Sequence, residues 1–236
     1  MRINKAQMLN QRLISSILGF TGGYMDTAGF LALNGLFTAH VTGNFVTLAA
    51  ALVTGSTGYI DKALAIPVFC LTILLFRFLQ LSVFKVDRVL MSRYFTLHAL
   101  LLLIGSILAI EYGPFLDGNS FIATLTGLLF IAGMTIHNVI HRVFLPETPP
   151  TTVMTLTSTQ IMLDCSDLMH GATSDEKIEI YKRLKSLVPA VLLFSLGCAG
   201  GAIAYQFLNM GCFFIAALIM CFLAIKSRLE SHIAKS

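Results

Sequence analysis

Gly22-Gly23-Tyr24-Met25-Asp26, followed by Gly29, Gly35 and Phe37-Thr38-Ala39-His40-Val41-Thr42-Gly43-Asn44, decides how the chain is read. The surroundings are strongly apolar, yet this stretch carries a carboxylate, an imidazole, an amide, hydroxyls and a run of glycines. In hydrocarbon an unpaired polar group costs several kcal/mol, so these groups must face protein or water. The stretch therefore reads as a broken helix lining a polar site.

The rest of the sequence fits that setting. Of 236 residues, 56% are hydrophobic and 12% charged, and soluble domains carry roughly twice that share of charge. Apolar runs of about 20 residues predict membrane helices rather than a barrel. Full-length segments read at 12–33, 62–84, 90–110, 119–141, 187–208 and 210–226; two shorter, more polar ones read at 38–54 and 151–169. The second short one follows Pro146, Pro149 and Pro150 and opens on a hydroxyl-rich run from Thr151. The net charge of +4 bears on membrane orientation, and no basic, aromatic-interleaved cluster points to nucleic acid. The N-terminal apolar run, with Asp26 and no small-residue cleavage site after it, reads as a retained anchor.

Basic residues concentrate on the cytoplasmic side of membrane proteins. Arg2, Lys5 and Arg12 put the N-terminus there. If neither 38–54 nor 151–169 crosses, then Lys85, Arg88, Arg93, Arg142, the 177–185 cluster and Lys226 all fall inside, and 111–117 falls outside. The expected fold is an all-α integral membrane protein of six spans plus two non-crossing segments, with both termini cytoplasmic in the inner membrane. Three spans per half make residues 1–112 and 113–236 an inverted-topology repeat. Asp26 and Asn138 then take equivalent places, and Val41–Asn44 matches Met154–Thr157. In 171–186, Ile178, Tyr181, Leu184 and Leu187 predict a short amphipathic helix on the cytoplasmic membrane face.

Asp26, at membrane depth, reads either as a structural ion pair with Arg77 or as a solute, cation or proton site. Thr42, Gly43 and Asn44 would start the first short helix, with Thr42 as its cap and free N–H groups suited to an anion. His40 nearby can titrate near neutral pH. Asn138 and Thr155 complete the candidate site from the other half. His137 and His141 share a helix face but lack the glutamate of a zinc-protease motif, and the five scattered cysteines form no CxxC pair, so neither a metal nor a disulfide frame is expected. Gly197-Cys198-Ala199-Gly200-Gly201 reads as a helix-packing face. No nucleophile elbow, phosphate loop or dinucleotide fingerprint occurs, so neither an enzyme nor a cofactor is expected.

Gly23-x-x-Asp26, Gly35-Leu36-Phe37 and Thr42-Gly43-Asn44, with Asn138 and Thr151-Thr152-x-Met154-Thr155, resemble the YoaK-like bacterial membrane proteins, a domain-of-unknown-function family. Thr135 stands where that family has glycine, and Leu156-Thr157 replaces its Gly-Asn. The resemblance implies a six-span cytoplasmic-membrane protein and names no substrate. The residues themselves point to a secondary transporter or channel-like protein for an unidentified small solute or ion; the alternative is a non-transporting scaffold or sensor working through 171–186. Its partners would be the lipid bilayer and that solute, and a homodimer is compatible with so small a transporter.

Overall fold

The computed structural model describes residues 5–82 and 88–233, and among these the structure is all-helical. Arg2 and Lys85, used above to set orientation, lie outside them. Six helices are long: α1 (Lys5–Ala32), α3 (Tyr59–Ser82), α4 (Arg88–Tyr112), α5 (Phe121–Phe144), α7 (Ser174–Leu208) and α8 (Cys212–Ile233). Two are short, α2 (Gly43–Thr54) with 12 residues and α6 (Met154–Met169) with 16. At about 1.5 Å per residue these reach roughly 18 and 24 Å, short of a hydrocarbon core of about 30 Å. They are the two segments that the sequence marks as partial.

Among the described residues, four stretches are long and apolar enough to cross a membrane: Tyr59–Ser82, Val89–Tyr112, Phe121–Phe144 and Ser174–Ser231. The last contains both α7 and α8, which part at Asn209, where φ is 47°. Helix α1, diluted by glycines, hydroxyls and Asp26, is not one of the four. It lies along α7, with Leu18, Met25 and Ala28 fully buried.

One expectation is placed and another corrected here. The interruption expected in the stretch 22–44 falls at 33–42, between α1 and α2, and α1 itself runs unbroken through Gly22 and Gly23 to Ala32. These glycines serve packing: a Cβ on Gly23 would stand 2.2 Å from the Phe194 carbonyl oxygen, and Cβ atoms on Gly197 and Gly201 would stand 2.0 and 2.5 Å from the carbonyl oxygens of Phe20 and Tyr24. Bare backbone on both helices lets α1 and α7 touch along two turns. The segment 171–186 is also no separate surface helix. Thr173 caps α7 through a reciprocal box with Glu176, and the helix continues through Pro189 as one rod. A proline removes one N–H but does not end a helix whose neighbours hold it.

The main helix pairs map onto one another when α1, α2, α3 and α4 are exchanged with α5, α6, α7 and α8. Helix α1 packs on α7 and α5 on α3; α2 packs on α3 and α6 on α7; α4 packs on α8 at the centre. Helix α6 is tied to α7 by Arg183, whose Nε and Nη2 donate to the two oxygens of buried Asp164 at 3.1 and 2.6 Å, with Gln160 donating to the same carboxylate at 2.9 Å.

Two tests follow from this packing. Gly197→Ala should lower the melting temperature in detergent, at a cost of about 1–3 kcal/mol from overpacking, whereas Gly19→Ala, whose Cβ would meet nothing closer than 3.9 Å, should be near neutral. Arg183 holds the Asp164 carboxyl below the usual carboxylate range. Its contribution is therefore complete above about pH 4 and is lost as the pH falls through the lowered value. Arg183→Gln should flatten that acid limb of the melting profile.

Candidate functional site

Helix α1 ends in a left-handed turn at Asn34, with the Gly35 N–H reaching back to the Phe30 carbonyl at 3.0 Å. Such a turn suits asparagine followed by glycine, because a Cβ is disfavoured at positive φ. The chain then doubles back along the end of α1. Asp26, 4% exposed, gathers the returning strand of backbone: its Oδ1 accepts the Ala39 N–H at 2.6 Å and the His40 N–H at 3.2 Å, and Oδ2 meets the His40 ring at Nδ1. Asn44, fully buried, clamps Phe37 from the other side, with Oδ1 accepting its N–H at 2.9 Å and Nδ2 donating to its carbonyl at 2.8 Å.

The second half repeats this arrangement with different chemistry. Asn138 on α5 accepts the Thr152 hydroxyl at 3.1 Å, and the adjacent His137 bonds Thr151 at 3.0 Å. Each pair is 14 residues apart, the same separation as Asp26 and His40. The two returning turns also meet. They do so around Gly22 of α1 and Phe194 of α7. Thr151 and Thr152 crowd Gly22 of α1, and Phe194 of α7 sets its ring 5.6 Å from that of His40. Asp26, His40, Thr152 and Asn138 thus form one line of polar groups between α1 and α5.

Several sequence-predicted residues fall elsewhere. Arg77 does not pair with Asp26; its guanidinium donates to Gln80 at 3.1 Å on α3. Thr42 occupies the cap position of α2 but its side chain makes no capping bond and is exposed. The Gly43 and Asn44 backbone N–H groups are spent inside the turn, donating to the His40 and Val41 carbonyls at 2.8 and 3.1 Å, so neither is open to an anion. Thr155 lies on the outward face of α6, and Thr152 takes the place beside Asn138. His137 and His141 bond separately to the Thr148–Thr151 loop, and His137 instead sets its ring 5.8 Å from that of His98.

Sequence reading also missed a polar cluster at the far end of α1. Lys62 donates to the Asn34 and Gly58 carbonyls at 2.7 and 2.5 Å. Asn119 Oδ1 accepts the N–H groups of Gly58, Tyr59 and Ile60 at 3.1, 3.0 and 3.4 Å, capping α3 from another loop. Residues 34 and 57 touch through a hydroxyl bond of 3.4 Å, so the segment containing α2 leaves and returns at one place. An Asp-Lys pair at the head of an apolar run was the available signal.

At the opposite end, a crevice of about 170 Å³ enters between α1 and α7. Ser15, Gly19, Thr151 and Pro189 line it. It adjoins a basin of about 710 Å³ rimmed by Arg12, Lys182 and Arg183. The narrow part ends at Thr151, next to the meeting point of the two turns.

These features define a multi-helix membrane-type protein built around two interrupted helices. The chain matches, over residues 14–226, the model of the family described as "Protein of unknown function (DUF1275)", and it belongs to that family. The YoaK-like resemblance agrees with this membership. No curated protein and no solved structure matches the chain.

Asp26→Ala should release two buried N–H groups and the His40 ring, costing about 2–4 kcal/mol. Asp26→Asn keeps an acceptor for the turn and should cost under about 1 kcal/mol. Melting of the two purified variants checks the difference, and equal losses would refute the turn-holding role.

Proposed function

We propose that the protein carries a small solute or ion across the cytoplasmic membrane as an inverted-repeat transporter or channel-like protein. Six helices cross, α2 and α6 enter and leave on their own sides, and both termini are cytoplasmic. The observation that carries this reading is the convergence of the two returning turns, far apart along the chain, with Thr151 and Thr152 against Gly22 and the Phe194 ring beside both Gly22 and His40. The exchange symmetry of the helix pairs supports the inverted repeat of residues 1–112 and 113–236. Equivalent 14-residue separations in the two halves support it independently.

The mechanism follows from what each end of the site contains. The Lys62–Asn34–Asn119 cluster fastens the outer end, whereas the Arg12 crevice reaches inward from the cytoplasmic end to Thr151. This is a state open to one side. Solute entering by the crevice would compete for Thr151, Thr152 and the His40 ring, the groups at which the two turns converge. Loosening that joint on one side while the outer cluster parts on the other gives alternating access around a fixed site. No enzymatic step belongs to this reading.

Thermal stabilisation of the purified protein by a panel of small anions, cations and metabolites tests it, because a ligand that binds the folded state raises its stability by mass action. At least one solute class should raise the melting temperature, and Asp26→Asn should remove that rise while keeping the unliganded melting temperature nearly unchanged. A panel with no stabilising solute, or stabilisation indifferent to Asp26→Asn, would favour the scaffold reading instead.

A further inference from the structure

A second polar site adjoins the line of groups just described and shares Asn138 with it. Between α3 and α5 opens a groove of about 730 Å³, with Arg77, Gln80, Asn138 and Arg142 as its polar lining and Ile73 and Val143 on its apolar wall. Ile73, Arg77 and Gln80 share one face of α3 at helical spacing, as Asn138 and Arg142 share one face of α5. The two helices therefore aim two guanidiniums and two carboxamides into one space.

The charge balance of this space is one-sided. No carboxylate lines the groove, and among the described residues neither arginine has an ion-pair partner. Arg77 is steered by Gln80, itself 5% exposed, whose Oε1 accepts its Nη1 at 3.1 Å. Asn138 spends its Oδ1 on Thr152, which leaves its Nδ2 donors for whatever occupies the groove. All the polar groups offered are thus donors, and the forks of two arginines suit the oxygens of a phosphate.

Depth narrows the source. Helix α5 has 24 residues, about 36 Å, and Arg142 lies in its last turn, so the groove opens at headgroup level rather than in the bilayer centre. Its apolar wall continues along α3 and α5 toward the bilayer interior.

We propose that this α3–α5 groove binds a phosphate-bearing anion, through Arg77 and Arg142 with Asn138 as a third donor. The phosphate arrives either as an anionic lipid headgroup, its chains against Ile73 and Val143, or as a free ion. The proposal stands apart from the transport reading, because its test turns on Arg77 and Arg142, whereas the transport test turns on Asp26.

The experiment compares purified protein titrated with inorganic phosphate in neutral detergent and protein in nanodiscs with and without phosphatidylglycerol, reading the melting temperature and, by native mass spectrometry, the retained lipid. Stabilisation by phosphatidylglycerol alone assigns the site to a headgroup; stabilisation by inorganic phosphate as well assigns it to the phosphate group itself. In either case Arg77→Gln and Arg142→Gln should each weaken binding roughly tenfold. Arg142→Lys should keep part of it, and Arg228→Gln, at the exposed end of α8, should leave it unchanged. Failure of both anions to bind, or binding equal in the wild type, Arg77→Gln and the charge-retaining Arg142→Lys, would overturn the proposal.

Discussion

A carboxylate in an apolar bundle must be given partners, and Asp26 finds them in the backbone that follows its own helix. Ala39 and His40 supply two N–H groups and His40 adds its ring. That demand bends the chain back after Asn34, so the next helix starts beside the end of α1 instead of beyond it. The interrupted backbone would itself be costly in hydrocarbon, and Asn44 removes the cost by satisfying both polar groups of Phe37. Carboxylate and broken backbone thus solve each other's problem.

The second half reaches the same shape with neutral groups. Asn138 and Thr152 replace Asp26 and His40 at the same separation, and His137 with Thr151 adds a second strut. One turn is therefore held by an acid–imidazole contact and the other by hydroxyl and amide bonds. The difference leaves Asp26–His40 as the one acid–imidazole pair at the centre among the described residues. Close contact of α1 with α7 through Gly23, Gly197 and Gly201 makes one side of the bundle stiff, whereas the α3–α5 side keeps a groove.

Much of this was legible in the residues. Hydropathy and the placement of lysines and arginines separated six long segments from two short ones, because helix length and loop charge are local properties. The packing role of Gly197–Gly201 was likewise readable from spacing. What failed depended on register and distance. The stretch 22–44 signalled an interruption without giving its place, because turn glycines and packing glycines leave the same trace in sequence. Thr155 follows from matching Met154–Thr157 to Val41–Asn44, and a short polar match of that kind misses the inward hydroxyl, Thr152, by three residues. Arg77 was matched to Asp26 on charge alone, although α3 lies against α5 and not α1. Lys62, Asn34 and Asn119 meet across three loops, a contact no local pattern encodes.

The account stands on the short segment around α2 returning to the membrane face it left. Its most direct measurement is labelling by a membrane-impermeant thiol reagent in intact and inverted vesicles, using Ser56→Cys, Leu116→Cys and Glu147→Cys in a chain whose five native cysteines have been replaced. Positions 56 and 116 should react from one face and position 147 from the other. Reaction of 56 and 116 from opposite faces would mean that α2 crosses, and the joined turns would no longer explain the fold.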